Sequence, residues 1–494
     1  MKSLLIIASS LMLCLSGVSA AEDKKIIKIP IKRASSAIIH NRFNKRATNN
    51  AALINASGKE YLLEVGVGTP PQIFNLTMDT GSADFWVPST ACPTTMCPHT
   101  RFNSDKSSSF KPLTEQLNIE YGIGAAKGIY GVDAVTVGAA SLPNQVIGLV
   151  SNTNNILSDT DVHNSNGIIG LGFPGLSMKT GEKPGHFVMG LYESKVISEP
   201  VFSVFLNSQF VYGKSGEIAL GGTDTTKHDP KDLQYAPVVS YDVSTYYVAA
   251  NLGANATKAG SLLYWSVPGQ GFSTSTGYKT PKSTLQSYIL DTGTTLTYVP
   301  AAVAKGIVMS VTANAKTTTF DAINGVYRVS CNLYKKTNVT VSFMISTSAT
   351  TASTTPITVT IPVSELVIPL DDELTPETSQ SCMFGIAPSP DGLELSTTET
   401  WIIGEATLRS IYSVYDLKEN RVGFAKLSNG SANTNSTGNN ASNVNPDGGN
   451  AGNAGNDDKL PEDSSSGQDS SSSSTLTPST SIAVVLSIIM LYYL

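Results

Sequence analysis

Short apolar runs recur through the middle of the chain, and two of them end in the same polar triplet. The runs IFNLTM and QSYIL precede Asp-Thr-Gly at Asp79 and Asp291, and the runs FWVP and LTYVP follow it. Runs of this length, bounded by Gly and Thr, are typical of buried strands joined by tight turns. The pattern therefore predicts that each aspartate lies in a glycine turn at a strand end, where its carboxyl is exposed while the strands fix its position.

The two stretches are copies of a longer repeat. Met78–Pro88 and Leu290–Pro300 carry Asp, Thr, Gly, Val and Pro at identical offsets. Each half continues to an Ile-Ile-Gly segment, GIIGLG at Gly167–Gly172 and WIIGEATL at Trp401–Leu408, which is predicted to be a strand packed close to its Asp turn. One Asp-Thr-Gly triplet is weak evidence, but two copies in matched frames predict two equivalent halves that share a site.

With their flanking segments, these repeats resemble the pepsin family of aspartic proteases over residues 58–427. The resemblance is carried by EYLLEVGVGTPPQIFNLTMDTGSADFWVPS, IEYGIGAAKGIYGVDAVTVG, GEIALGGTD and IIGEATLRSIYSVYDLKENRVGFAK. It implies an all-β, bilobal fold with a central cleft between pseudo-twofold lobes. The N-terminal lobe would span residues 47–245 and contain Asp79 and the flap, and the C-terminal lobe would span residues 246–427 and contain Asp291.

The chemistry expected of this pair is that of an aspartic endopeptidase. Two carboxyls forced into one site cannot both ionise cheaply, so Asp79 and Asp291 would share one proton in acid. The ionised member would take a proton from a bound water that attacks the peptide carbonyl, and the protonated member would donate to the developing oxyanion. This mechanism requires no covalent intermediate, no cofactor and no metal.

The resemblance also assigns supporting residues around the two aspartates. The threonine hydroxyls would brace the two loops against each other, and the glycine amides would point at the carboxylates. The hydroxyl of the residue after each glycine would hydrogen-bond the outer carboxylate oxygen. These residues are Thr80, Gly81 and Ser82 in the first loop and Thr292, Gly293 and Thr294 in the second.

A flap over the substrate is the next feature that the resemblance implies. Tyr121 matches the flap tyrosine and Trp86 its hydrogen-bonding partner, while Gly122 suits a mobile hairpin tip. Considered without the family, Tyr121 would be an ordinary strand aromatic. Ile123 at the flap favours a hydrophobic residue before the cleaved bond, whereas the yapsin-like resemblance described below favours a basic one, so both preferences stay open.

The cysteines indicate an oxidising compartment. Cys14 lies in the predicted signal peptide, which leaves Cys92, Cys97, Cys331 and Cys382 to form two disulfides. The first pair is close enough to close a small loop, and the second pair would close a long one. Their spacing fits no zinc-ligand pattern, and the pepsin family commonly has one small and one long disulfide loop at these places.

The N-terminal segments have the features of a secreted precursor. Residues 1–20 combine one lysine, an apolar run and small residues, the pattern of a cleaved signal peptide. Residues 21–46 are basic and end at Lys45-Arg46, which predicts a prosegment cut by a kexin-like processing protease; the alternative is a solvated run of charge. The chain has a formal net charge of −6, and this acidity argues against nucleic acid as a partner.

The C-terminal segments predict a tether to the cell surface. Residues 428–469 are rich in Ser, Asn and Gly and are predicted to be a disordered stalk. Residues 470–494 end in the apolar run Ile482–Leu494, which is shorter than the roughly 20 residues that span a bilayer. Small residues, a polar spacer and this run together predict a glycosylphosphatidylinositol attachment signal. The alternatives are a short tail anchor and an ordinary terminus.

The processing site and the predicted lipid anchor make the chain resemble the cell-surface, yapsin-like branch of fungal secreted proteases. The expected partners are protein or peptide substrates, the processing protease and the membrane that holds the anchor, with the protein itself a monomer. Two rival hypotheses are a catalytically inactive surface protein that uses the fold for binding, and a soluble secreted or vacuolar protease.

Overall fold

The computed structural model describes eleven segments of the chain: residues 25–33, 61–121, 124–154, 156–157, 165–179, 185–210, 214–239, 262–280, 285–371, 375–389 and 400–428. The chain divides into two units, residues 1–436 and 437–494, and all described residues belong to the first. The predicted signal peptide, Lys45-Arg46, the boundary between residues 245 and 246, and the stalk and anchor signal beyond Ser428 lie outside the described residues.

Strands make up most of the described structure. In chain order they are β1 Ile27–Arg33, β2 Tyr61–Val67, β3 Gln72–Asp79, β4 Phe85–Pro88, β5 Lys111–Tyr121, β6 Gly124–Val137, β7 Ala140–Asn154, β8 Ile168–Gly170, β9 Val201–Leu206, β10 Lys214–Leu220, β11 Gln234–Pro237, β12 Ser266–Thr274, β13 Gln286–Leu290, β14 Thr297–Val299, β15 Thr319–Asp321, β16 Val326–Val329, β17 Thr340–Ile345, β18 Ile357–Pro362, β19 Val367–Pro369, β20 Cys382–Phe384, β21 Ile386–Pro388, β22 Thr400–Ile403, β23 Tyr412–Asp416 and β24 Arg421–Ala425. The described α-helices are α1 Phe187–Glu193, α2 Ala301–Thr312 and α3 Glu405–Leu408.

These strands form three sheets. The largest has thirteen strands in the order β11-β24-β23-β9-β10-β1-β2-β3-β8-β4-β7-β6-β5. A second sheet has the order β18-β17-β12-β13-β22-β14-β21, and a third has the order β15-β16-β20-β19. The predicted all-β, bilobal fold class is confirmed.

Burial along the strands follows from their composition. Strand β18, with the sequence ITVTIP, alternates buried and exposed side chains, as a strand with one face on the core does. Strand β13, with the sequence QSYIL, is buried at all five positions because other strands and the core cover both of its faces. The strand that leads into Asp291 is therefore held rigidly from both sides.

The predicted prosegment supplies a central strand of the largest sheet. Strand β1 pairs with β10 over six residue pairs and with β2 through Lys32 and Arg33. Ile27, Ile29 and Ile31 are buried, while Lys28 forms an ion pair with Asp224 at 2.8 Å. The alternation of Ile with polar residues in IKIPIKR places one face of the strand in the core and the other toward solvent.

The C-terminal strands return to the sheet of the first half. Strand β23 pairs with β9, and β24 pairs with β11, all in antiparallel register. Beneath these strands Trp265 packs against Phe173, Phe202 and Tyr415, with ring centroids 4.3, 5.7 and 5.1 Å away. This aromatic layer joins residues from both halves of the sequence.

Two disulfides add covalent links. Cys92 is bonded to Cys97, five residues away, and Cys331 is bonded to Cys382, 51 residues away. These are the two pairs that the sequence predicts. Within the described ranges, no helix has the length and apolar content needed to cross a membrane.

Candidate active site

The two aspartates lie at equivalent points of the two repeats. Asp79 ends β3, which runs parallel to β8 with Asp79 opposite Gly170. Asp291 follows β13 directly, and β13 runs parallel to β22. The amide of Leu171 donates to the carbonyl of Asp79 at 2.7 Å, and the amide of Asp291 donates to the carbonyl of Ile403 at 3.0 Å. Each Ile-Ile-Gly strand therefore fixes the backbone of its aspartate loop.

The glycine in each Ile-Ile-Gly segment allows this close packing. A Cβ added to Gly170 would lie 2.5 Å from the carbonyl carbon of Ala83, and one added to Gly404 would lie 2.2 Å from the carbonyl oxygen of Leu296. Backbone atoms cannot move aside as a flexible side chain can. The crossing strands therefore need glycine at both positions because any side chain would push the aspartate loop away.

Thr80 and Thr292 cross-link the two loops. The amide of Thr80 donates to Oγ1 of Thr292 at 3.1 Å, and the amide of Thr292 donates to Oγ1 of Thr80 at 3.0 Å. Each hydroxyl in turn donates across the pseudo-twofold axis at 2.7 Å, that of Thr80 to the carbonyl of Leu290 and that of Thr292 to the carbonyl of Met78. Four buried hydrogen bonds thus fix the position of one loop relative to the other.

Each carboxyl accepts hydrogen bonds from its own loop in the same way. Oδ1 of Asp79 accepts from the Gly81 amide at 2.8 Å, and Oδ2 accepts from the Ser82 hydroxyl at 2.5 Å. The second loop repeats the pattern.

In that second loop, the Gly293 amide donates to Oδ1 of Asp291 at 2.8 Å, and the Thr294 hydroxyl donates to Oδ2 at 2.6 Å. Two donors in each loop therefore orient one carboxyl, at the positions where the sequence places the supporting residues.

A glycine of each loop lies against the carboxyl of the other loop. A Cβ on Gly81 would lie 2.6 Å from Cγ of Asp291, and a Cβ on Gly293 would lie 2.4 Å from Oδ1 of Asp79. The side chains of Asp79 and Asp291 are in hydrogen-bonding contact. Burial, together with the charge of Asp291, raises the pKa of Asp79 above the usual range of a carboxyl. The geometry thus favours one shared proton between the two groups.

Tyr121, at the end of β5, lies beside this pair. Nε1 of Trp86 donates to the Tyr121 hydroxyl at 2.7 Å, and Ser82 lies within hydrogen-bonding contact of the same hydroxyl. Burial, and then the charges of Asp79 and Asp84, raise the pKa of Tyr121 well above its usual value. Gly122 and Ile123, the predicted tip of the flap, lie outside the described residues.

An apolar cluster surrounds Trp86 and Tyr121. We call it the Trp86 cluster, and its other members are Leu113, Leu117, Ile119, Ala126, Tyr130, Val146, Val150, Ile156, Leu157, Ile168 and Met178. It is built from β4, from the two strands β5 and β6 of the predicted flap hairpin, from β7 and β8, and from the segments that follow these two strands. The cluster gives the site an apolar wall on the side of Asp79.

Sequence reasoning missed a second buried carboxyl in the loop that follows Asp79. Asp84 is 5% exposed and accepts hydrogen bonds from Tyr130, Ser177 and the Met178 amide. The signal that could have found it is a break in the repeat, since Asp84 corresponds to the apolar Leu296 in the second copy.

Comparison with known proteins agrees with this geometry. The family described as eukaryotic aspartyl protease matches residues 60–427. Mucorpepsin of Rhizomucor pusillus is 30% identical over 388 residues, which cover 76% of this chain and 80% of that protein. Gastricsin of Cavia porcellus is 32% identical over 369 residues, and human gastricsin is 30% identical over 374; each alignment covers 74% of this chain, and 79% and 81% of the two relatives.

The chain therefore belongs to the eukaryotic aspartyl proteases, the pepsin family, as the sequence predicts. Its enzyme class is that of the aspartic endopeptidases.

Proposed function

We propose that the protein is an acid endopeptidase in which Asp79 and Asp291 activate a water molecule, that it passes through the secretory pathway, and that it stays tethered at the cell surface. The observation that carries the catalytic part is the symmetry of the dyad. Each carboxyl has one glycine amide and one hydroxyl as donors, and each faces the other across a glycine.

The symmetry supports a shared proton. Two carboxyls in contact repel as a pair of anions and attract when one is protonated, so the singly protonated pair is the stable form in acid. In that form one carboxylate accepts a proton from water, and the other carboxyl donates to the carbonyl oxygen of the scissile bond as the tetrahedral intermediate forms. The cross-links between Thr80 and Thr292 keep both groups in place, so little reorganisation is needed.

For the residue before the cleaved bond we propose an apolar side chain. The Trp86 cluster adjoins Tyr121, and its members are apolar apart from the Tyr121 and Tyr130 hydroxyls, both of which are hydrogen-bonded. The members of the cluster carry no charge that could pair with a lysine or arginine, so burying either against this wall would cost hydration. Peptides that differ only in Phe or Lys at this position test the preference, and faster cleavage of the lysine peptide would contradict it.

The secretory part of the proposal rests on sequence features and on the type of relative. The disulfides require an oxidising compartment. The N-terminal apolar segment, Lys45-Arg46 and the C-terminal apolar run support a signal peptide, a processing site and a lipid anchor. Release of the protein from intact cells by a phosphatidylinositol-specific phospholipase tests the anchor, and a protein found only in the medium without phospholipase would contradict it.

Cleavage of a diverse peptide library between pH 3 and 7 tests the dyad. The full-length chain is expressed in a secreting host in three forms: wild type, Asp79→Asn and Asp291→Asn. Asp416→Asn is the matched control because Asp416 is also a buried carboxyl but lies in β23 and pairs with Arg421 at 2.9 Å. We expect acid-range cleavage by the wild type and the control, its loss in both dyad variants, and inhibition by pepstatin.

The inactive binding protein is the alternative that this experiment separates. If folded, processed wild type binds peptides or pepstatin but cuts nothing at any pH in the range, the catalytic proposal is wrong.

A further inference from the structure

Asp84 is a buried carboxyl that the proposed chemistry does not use. It lies five residues after Asp79, directly before β4, and its carboxyl is hydrogen-bonded to Tyr130 on β6 and to Ser177 and Met178. Oδ1 accepts from the Tyr130 hydroxyl at 2.7 Å and from the Ser177 hydroxyl at 2.8 Å, and Oδ2 accepts from the Met178 amide at 2.9 Å. Burial raises its pKa above the usual carboxyl value, and the three donors oppose that shift.

The repeat shows that the fold itself does not require a carboxyl here. The equivalent position in the second half is Leu296, which is fully buried. An apolar side chain therefore suits the turn, and burying a carboxyl in its place is costly unless donors surround it. The half of the molecule that carries Asp84 is also the half that carries the flap hairpin. This asymmetry points to a task that belongs to the flap.

The three donors lie on two elements, strand β6 and the segment that follows a short 3₁₀ helix. Tyr130 lies on β6, one strand of the flap hairpin, and its ring belongs to the Trp86 cluster. Ser177 and Met178 follow a short 3₁₀ helix, and the Met178 side chain packs against the same cluster. Asp84 therefore ties β6 and this segment to the strand that follows the catalytic loop.

A second contact links the segment to the other strand of the hairpin. Nζ of Lys179 lies 3.2 Å from Oε2 of Glu115, which is on β5. The Lys179 side chain is only 10% exposed, so this ion pair is shielded from solvent more than an ordinary surface pair. Residues Ser177–Lys179 thus reach β5 through the Lys179 ion pair and β6 through the Asp84 carboxyl.

We propose that Asp84 is a positioning residue for the flap. By holding Tyr130 and Met178, it keeps the Trp86 cluster closed around Tyr121, so that the flap meets the substrate in one defined position. The proposal rests on the proposed function, since it takes Tyr121 to cover the substrate. Its effect is on substrate binding and flap order rather than on proton transfer at the dyad.

The repeat itself supplies the test variant, Asp84→Leu, which installs the residue of the second half. It removes all three acceptor contacts while keeping the number and branching of the side-chain heavy atoms. Asp84→Asn is the conservative variant, because its oxygen can accept from the Met178 amide while its nitrogen donates to the Tyr130 and Ser177 hydroxyls, which can turn to accept. We expect Asp84→Leu to raise KM for an apolar peptide and the inhibition constant of pepstatin by about tenfold, with kcat changed far less. Asp84→Asn should stay near wild type.

Hydrogen exchange gives a readout that does not depend on activity. The same variants are compared in the full chain with Asp291→Asn, which prevents self-digestion. Asp84→Leu should speed exchange of amides in β5 and β6 while leaving β9 and β10 unchanged. If the wild type has no activity, the proposed function fails, and the exchange pattern still decides whether Asp84 orders the flap.

Tyr130→Phe and Ser177→Ala keep the proposal testable if Asp84→Leu does not fold, since each removes one donor only. Tyr412→Phe is the matched control, because Tyr412 is a buried tyrosine on β23, which pairs with β9, and its hydroxyl bonds to Ser203 and to the Asp224 amide. The proposal is overturned if the Asp84 and Tyr130 variants leave KM and flap exchange unchanged. It is also overturned if they speed exchange evenly across the protein.

Discussion

Thr80 and Thr292 exchange hydrogen bonds across the pseudo-twofold axis, each amide donating to the hydroxyl of the other at 3.1 and 3.0 Å. Both residues are buried, with 0% and 1% of their surface exposed. The two residues lie 212 positions apart in the chain. The relative position of the Asp79 and Asp291 carboxyls therefore depends on a contact between the halves, rather than on either half alone.

Thr80→Val should cost about 3 kcal/mol of unfolding free energy, because it leaves the Thr292 amide and the Leu290 carbonyl without their partner in a buried site. It should also lower kcat, since the loops lose their alignment. Urea unfolding and steady-state kinetics measure the two effects. Thr80→Ser keeps the hydroxyl, so its unfolding free energy and kcat should fall much less.

Thr312→Val is the matched control for this change. Thr312 is 7% exposed, but its hydroxyl donates within α2, to the carbonyls of Val308 and Met309 at 2.7 and 3.5 Å. We expect an effect on stability of less than about 1 kcal/mol and none on kcat. An equal loss in the Thr80 and Thr312 variants would contradict a special role for the cross-link.

Asp79→Asn should make the protein more stable than wild type at neutral pH. The folded-state pKa of Asp79 is raised by burial and by Asp291, so the folded protein binds a proton that the unfolded chain releases. That contribution to stability is present below the unfolded-state pKa of about 4 and is lost as pH rises through the higher folded-state value.

The gain in Asp79→Asn should be on the order of 2 kcal/mol at pH 7 and should disappear near pH 3.5. Urea unfolding midpoints at the two pH values measure it. Asp416→Asn should instead be less stable than wild type at pH 7, because the Asp416 carboxylate pairs with Arg421 and accepts hydrogen bonds from the amides of Lys418 and Glu419. A destabilised Asp79→Asn at pH 7 would show that the dyad carboxyls do not repel each other.

Gly81→Ala should abolish most activity without unfolding the protein. Its Cβ would lie 2.6 Å from Cγ of Asp291, so the opposite carboxyl must move. A displacement of this size at the reacting groups lowers kcat/KM by about 100-fold or more. Measured kcat/KM, with the urea midpoint as the check on folding, tests this expectation. Activity within a few-fold of wild type would mean that the carboxyls are held less rigidly than their hydrogen bonds indicate.

The two disulfides should contribute unequally to stability. The bond between Cys331 and Cys382 closes a loop of 51 residues, and the bond between Cys92 and Cys97 closes one of five. Loop-closure entropy gives about 4 kcal/mol for the first and about 2 kcal/mol for the second. Paired Cys→Ala variants at each bond, compared by urea unfolding, test the order. A larger loss from the Cys92–Cys97 pair would mean that local packing, rather than chain entropy, dominates.

The sequence was sufficient to predict two matched aspartate loops because each loop is a local structure and its sequence is repeated. The offsets of Asp79 and Asp291 in their repeats, and the Ile-Ile-Gly segments after them, led to the parallel strands that hold them. The disulfide pairs also followed from the spacing of the cysteines.

Other features depend on contacts between distant segments and have no local signature. Strand pairing of β1 with β10, or of β23 with β9, joins residues far apart in the chain, and the alternation of side chains in a strand does not specify its neighbour. The acceptor role of Asp84 likewise depends on where Ser177 and Tyr130 lie in space. Its only trace in the sequence is the substitution of Leu296 in the second copy.

Strand β1 lies inside the predicted prosegment and in the middle of the largest sheet, hydrogen-bonded along both edges, with three isoleucines in the core. A cut after Arg46 would break one peptide bond and none of these contacts. Proteolysis and departure of the segment are therefore separate events, each with its own rate. A nicked protein would therefore remain a two-chain complex for as long as β1 keeps its place between β10 and β2.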